Sequence, residues 1–60
     1  MNAEIVKRFL NRKVKLIKKD NFAIYGVIID IEFDSVIFQS QQTTSAISLD
    51  CIAEITPVGD

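Results

Sequence analysis

Three carboxylates lie close together near the middle of the sequence, at Asp30, Glu32 and Asp34, and Ser35 follows them directly. Carboxylates at this spacing can exchange protons in acid–base catalysis or hold a hard cation such as Mg²⁺. The sequence contains no histidine and no glycine-rich phosphate loop to complete an active site. We therefore interpret the group as a charged strand end that turns at Asp34-Ser35, and we expect no enzyme activity, no bound metal and no other cofactor.

The basic residues point to a different chemistry, the binding of a polyanion. All of them precede residue 20, where only Glu4 and Asp20 oppose them, so residues 1–20 carry a net charge of +5 and residues 21–60 one of −6. This asymmetry predicts a polyanionic partner or complementary self-association. It is equally consistent with a basic helix whose positive charge balances the negative charge of an acidic domain. The basic residues are Lys7, Arg8, Arg12, Lys13, Lys15, Lys18 and Lys19.

Two aromatic residues, Tyr25 and Phe33, are candidates for stacking against nucleobases, because every base has a π face. The amides of Gln39, Gln41 and Gln42 are able to hydrogen-bond base edges, although they are also typical of an ordinary polar loop. For the two aromatic residues we favour packing in the core or in a subunit interface over stacking, because such large apolar rings dominate both.

The elements that position these residues follow from the hydrophobic pattern. Residues 2–12 predict a helix, with Asn2 as its N-cap and an apolar stripe on one face. Arg8 and Arg12, four residues apart, then lie on its outer face. Residues 13–18 alternate basic and apolar residues, which predicts a strand. Further strands are predicted at about 22–32, 36–41, 45–49 and 54–57.

The second predicted strand is apolar on both faces, so we expect it to be covered on both sides. Alternation places Phe22, Ile24 and Ile28 on one face, and Tyr25, Val27, Ile29 and Ile31 on the other. Gly26, in the middle of this strand, predicts a sharp bend or a close approach of another backbone. A long bent strand that leads into a second one indicates a small, strongly curved barrel.

The length of 60 residues predicts a single domain, 1–60, that is marginally stable alone. Small domains of this kind need disulfides, metals or oligomerisation. The single cysteine, Cys51, cannot form an internal disulfide, and its apolar neighbours predict a buried thiol. Oligomerisation is the remaining source of stability. We find no signal peptide or membrane-spanning run in the sequence, and therefore expect a cytoplasmic protein with no membrane partner.

A helix followed by five short strands, with glycine in the middle of the second, resembles the Sm-like (Lsm) family and is closest in pattern to its bacterial Hfq branch. The resemblance extends over almost the whole chain. Four pieces carry it: Asp20-Asn21 before the second strand, residues 25–28 within it, residues 33–37 opening the third strand, and residues 52–57 at the end.

This resemblance implies a mainly β fold, with an N-terminal α-helix followed by a five-stranded, strongly bent antiparallel sheet that forms a small SH3-like barrel. It also implies a ring of six or seven subunits, closed by pairing of edge strands. Such rings bind single-stranded RNA around the pore or on one face. The pore motif of the Hfq branch is not matched, because Ser48-Leu49-Asp50 stands where that branch has Tyr-Lys-His. Either Glu32 or Asp34 corresponds to the family's aspartate, depending on the register.

We therefore predict a homo-oligomeric ring, a hexamer or heptamer, that binds single-stranded RNA by a basic helix-side surface. The candidate RNA-binding residues are Arg8, Arg12, Lys13, Lys15, Tyr25, Asp34 and Ser35. The alternative is an Sm-like protein-interaction or scaffolding module without nucleic-acid binding, which the acidic residues 21–60 and the missing pore cation favour. A third interpretation is one subunit of a larger hetero-assembly.

Overall fold

The structure is a computed structural model and describes residues 1–59. This part of the chain forms one short helix, five strands and a 3-10 turn. The elements are α1 (Ala3–Lys7), β1 (Lys13–Lys18), β2 (Ala23–Glu32), β3 (Ser35–Gln39), β4 (Thr44–Ser48), the 3-10 turn (Leu49–Cys51) and β5 (Ile52–Pro57). All strand pairs are antiparallel. The predicted fold class, a helix followed by a five-stranded antiparallel sheet, is confirmed.

The helix is shorter than the sequence predicts, because it ends at Lys7 rather than near residue 12. Asn2 caps its start, with its side-chain oxygen accepting from the Glu4 N–H at 2.6 Å. Beyond the helix, Asn11 takes a left-handed backbone conformation (φ 64°), which asparagine tolerates better than most residues. Its N–H then donates to the Ile28 carbonyl at 2.6 Å instead of continuing the helix. A tertiary hydrogen bond thus overrides local helix propensity.

The sheet is curled around β2, its longest strand. The strand order is β4-β3-β2-β1-β5, and β2 pairs with β1 over residues 23–27 and with β3 over residues 27–32. The three principal extents of 26, 22 and 20 Å are similar, as a tightly curled sheet requires. The residues of β2 before Val27 therefore pair with β1 and those after it pair with β3, and the strand bends near Val27.

The core lies inside the curl and is closed by α1. It consists of eight buried apolar residues: Val6, Val14, Leu16, Ile28, Val36, Phe38, Leu49 and Ile52. No polar or charged residue is buried among residues 1–59. The alternation predicted for β1 holds, because Val14 and Leu16 are fully buried, whereas Lys13 is exposed and Lys15 is half-buried.

The prediction for the far half of β2 is wrong in one respect. A β-bulge between Ile28 and Asp30 inserts one residue, which reverses the side-chain alternation beyond it. Ile31, predicted to lie on the face of Tyr25, instead pairs with Val36 and packs against the core. Tyr25 and Ile29 remain exposed on the outer face, so a single copy of the chain leaves that face uncovered.

Gly26 lies close to the end of β3. A Cβ on this residue would overlap the carbonyl oxygen of Gln39 and lie 2.8 Å from the Phe38 ring. The backbone oxygen belongs to a paired strand and cannot move without breaking the sheet. The bend or close approach predicted from the sequence is therefore a contact that excludes every side chain.

Substitution of Gly26 tests this contact. We expect Gly26→Ala to lower the free energy of unfolding by about 1–3 kcal/mol, the cost of overpacking a core, and Gly26→Val to lower it further. Gly59→Ala is the matched control, because a Cβ there meets nothing within 4 Å. Urea denaturation followed by circular dichroism measures the free energy of unfolding of all three variants. Equal stabilities for Gly26→Ala and Gly59→Ala would contradict the close approach.

Candidate nucleic-acid interface

Two of the basic residues and the tyrosine meet on the outer face of the sheet, opposite the core. Lys13 and Lys15 point away from the core, because the intervening Val14 points into it. Across the β1–β2 pair, Lys15 lies opposite Tyr25 and Lys13 lies opposite Val27. Directly opposed residues of an antiparallel pair share one face, so these side chains are neighbours. Tyr25 is 57% exposed, which leaves its ring accessible.

An open groove crosses this face, and we call it the outer-face groove. It is lined by residues 25–27 of β2, by Gln39 with the β3–β4 loop, residues 40–43, which we call its loop wall, and by Lys13 and Val58. It combines an aromatic ring, an ammonium group and several amides. These groups are able to stack against a base, contact a phosphate and hydrogen-bond a base edge.

The loop wall of this groove is held by its own hydrogen bonds. The Ser40 N–H donates to the Thr43 carbonyl at 2.9 Å, and the Ser40 and Thr43 hydroxyls lie 3.0 Å apart. This closure leaves Gln41 and Gln42 exposed at the tip. The sequence identified the loop, but its role as a wall depends on the pairing of Gln39 with Val27, which places the loop beside Tyr25.

The remaining cations lie elsewhere, so the basic cluster predicted for the helix side is divided between two surfaces. Arg8 caps the C-terminal end of α1, and Arg12 donates its backbone N–H to Phe9 at 3.0 Å in the turn before β1. Both are exposed. In the described part of the chain the ion pair found is Lys7–Glu4 at 3.5 Å, so neither arginine has a carboxylate partner there.

Asp34 and Ser35, also predicted as site residues, are not joined to the outer-face groove. They lie nine and ten residues beyond Tyr25, after the end of β2 at Glu32, and the seven residues from Tyr25 to Glu32 alone correspond to about 23 Å of extended strand. The Asp34 carbonyl accepts from the Leu49 N–H at 2.7 Å, and Ser35 pairs with Ser48. Their backbone groups therefore attach the 3-10 turn to the β2–β3 turn.

The structure excludes part of what was predicted for Phe33 and contradicts the buried thiol predicted for Cys51. Phe33, predicted to pack in the core or in a subunit interface, does not lie in the core: it is 98% exposed at the tip of the β2–β3 turn, with φ of 54°, and its packing in an interface stays a prediction. Cys51 is exposed rather than buried. Leu49 and Ile52, three residues apart across the 3-10 turn, take the core positions, and Cys51 between them turns outward.

Comparison with known proteins adds a structural relationship. No protein-family model matches the chain, and no curated protein matches it. Among solved structures, it is similar to the 1.55 Å crystal structure of the pleiotropic translational regulator Hfq, with a TM-score of 0.82 and 20% sequence identity. The match covers 95% of this chain and 89% of that chain. The Sm-like fold, close to that of Hfq, is thereby confirmed. Of the residues that the structure describes, none belongs to a helix long and apolar enough to span a bilayer.

The exposure of Tyr25 leads to a stability prediction. Because the ring contributes little to the core, we expect Tyr25→Ala to change the free energy of unfolding by less than about 1 kcal/mol. Phe38→Ala, the matched aromatic truncation at a residue 1% exposed, should cost about 3–5 kcal/mol. Chemical denaturation of both variants gives the comparison. Similar losses would mean that Tyr25 is structural.

Proposed function

We propose that this chain, which shares the Sm-like fold of Hfq, binds single-stranded RNA through the outer-face groove and does so as a subunit of a homo-oligomeric ring. The observation that carries the proposal is the juxtaposition of Lys13, Lys15 and the exposed Tyr25 on one face. The proposal differs from the sequence-based one in the surface used. It places the RNA on the sheet rather than on the helix side.

The chemistry of the groove suits an unpaired strand. A base stacked on an aromatic side chain contributes about 1–3 kcal/mol by alanine substitution, whichever base it is. Lys13 and Lys15 lie next to that ring, and neither forms an ion pair within residues 1–59. Unpaired ammonium groups bind phosphates without first losing an internal partner. A stacking surface beside free cations favours single strands, whose bases are accessible, over duplexes.

The ring is supported by the two free edges of the sheet. β4 and β5 lie at opposite edges, each with one unpaired side in a single copy. β4 carries no charge and no proline, the residues that normally protect an edge strand from pairing. Pairing β4 of one copy with β5 of the next would continue the sheet and close a ring. Each subunit would then present one groove, so a single RNA strand would meet several equivalent sites.

Charged residues on β4 should prevent this assembly. Thr44 and Ala46 are exposed and point away from the core, so Thr44→Lys with Ala46→Lys should preserve the fold and block edge pairing. We expect a monomer by light scattering, with an unchanged circular dichroism spectrum. The control, Gln41→Lys with Gln42→Lys, adds the same charge on the β3–β4 loop and should leave the mass unchanged. An oligomer of unchanged mass in the β4 variant would contradict the edge-paired ring.

Two double variants decide which basic surface holds the RNA. Lys13→Glu with Lys15→Glu reverses the charge of the outer face. Arg8→Glu with Arg12→Glu reverses the charge of the helix side by the same amount. We expect the first to raise the Kd for RNA at least about tenfold and to reduce the salt dependence, since each lost contact to a single strand lowers the log–log slope by about 0.7. The second should have a much smaller effect. The opposite result would assign the RNA to the helix side.

The measurement is fluorescence anisotropy with oligo-U and oligo-A RNA at low and moderate salt. Tight binding that weakens linearly with log salt supports a phosphate-dominated site, and Tyr25→Ala should then weaken binding without changing that slope. The absence of binding even at low salt would overturn the proposal. It would instead favour the protein-interaction module.

A further inference from the structure

The turn between β2 and β3 carries an aromatic residue that is almost fully exposed on the folded subunit. Phe33 is 98% exposed, and its backbone is left-handed. Glycine, asparagine and aspartate adopt that conformation readily, whereas a bulky side chain is a genuine outlier there. Within residues 1–59, the Phe33 ring has no burial to offset this cost. The residue is therefore unfavourable for the isolated subunit, and a contact that covers the ring would offset this cost.

The charges beside Phe33 restrict what can cover it. Glu32 and Asp34 flank it directly, and Asp30 lies near the same end of β2; all three are exposed. None of them forms an ion pair in the described part of the chain. Together, Glu32, Phe33 and Asp34 form what we call the acidic turn. Phosphates would be repelled here, so the acidic turn suits a cationic partner with an apolar centre rather than RNA.

A surface of that description exists on the same chain. Ile5 and Leu10 are large apolar residues that are 47% and 38% exposed. Arg8 lies one helical turn from Ile5, and Arg12 follows Leu10 closely. We call these four residues the helix-exit surface. Each of its apolar residues lies two or three positions from an arginine in the sequence, just as Phe33 lies next to two carboxylates.

We propose that the acidic turn of one copy docks on the helix-exit surface of a second copy. Phe33 would cover Ile5 and Leu10, while Glu32 and Asp34 would approach Arg8 and Arg12. Within one copy this pairing is not made, because Phe33 is almost fully exposed and no ion pair joins the two surfaces among residues 1–59. The contact does not use the edges of β4 and β5, and it therefore goes beyond the proposed ring closure. It joins unlike surfaces, as heterologous assembly requires.

A charge-reversal cycle tests the contact. Sedimentation velocity at low salt is measured for Glu32→Lys with Asp34→Lys, for Arg8→Glu with Arg12→Glu, and for the four changes combined. Each double variant should raise the dissociation constant of the self-association at least about tenfold, and the combined variant should recover most of the loss. The proposal would be overturned if neither double variant changed the dissociation constant, or if the combined variant associated as weakly as either double variant.

A second variant separates the contact from folding. Phe33→Asn removes the ring and keeps a residue that tolerates the left-handed backbone. It should leave the stability of the dissociated subunit equal or higher while raising the dissociation constant about tenfold. An unchanged dissociation constant would contradict the docking. The proposed ring is tested independently by the Thr44→Lys, Ala46→Lys variant. If that variant dissociates while every acidic-turn variant assembles normally, the result supports the edge-paired ring and overturns the docking of the acidic turn.

Discussion

The close approach of the β2 backbone to the end of β3 is the constraint on which the rest of the structure depends. At Gly26 there is no room for a Cβ between the strand and the Gln39 carbonyl or the Phe38 ring. This contact lets β2 bend, so that one half pairs with β1 and the other with β3. Within residues 1–59, the bend encloses a core of eight buried apolar residues. It also brings Tyr25, Gln39 and the β3–β4 loop to one side of the sheet, where the outer-face groove forms.

The features that could be predicted from the sequence are those that depend on local periodicity. The alternation in β1 and the mid-strand glycine identify the elements and the bend, because both patterns arise from single strands. The helix end and the far half of β2 were mispredicted for non-local reasons. Asn11 leaves the helix to bond Ile28, and the bulge beside Ile28 moves Ile31 to the core side. Neither partner is visible in the local sequence.

The same division between features set by the local sequence and features set by non-local contacts applies to the candidate site. The residue types at Lys13, Lys15 and Tyr25 indicate polyanion binding, but their placement side by side on one face depends on the register of β1 against β2. The single helix-side cluster predicted from the sequence does not form, because the chain changes direction between the helix and β1. The charge separation present along the sequence is kept only in part by the fold, since Lys18 and Lys19 line the same pocket as Asp50. In residues 1–59, the observed ion pair is the local, exposed one between Glu4 and Lys7, which contributes little to stability.

The strand order also has a consequence for how the chain folds. Three of the four strand pairings join consecutive strands through short turns, so they can form as successive hairpins with little loss of chain entropy. The pairing of β1 with β5 instead joins Val14 to Pro57, across most of the chain. Closing so long a loop is slow, because its entropy is lost before its contacts form. The strand that completes the subunit last is thus also one of its two free edges. Until β5 docks, β1 is itself an open edge, so folding and assembly compete for the same backbone hydrogen bonds.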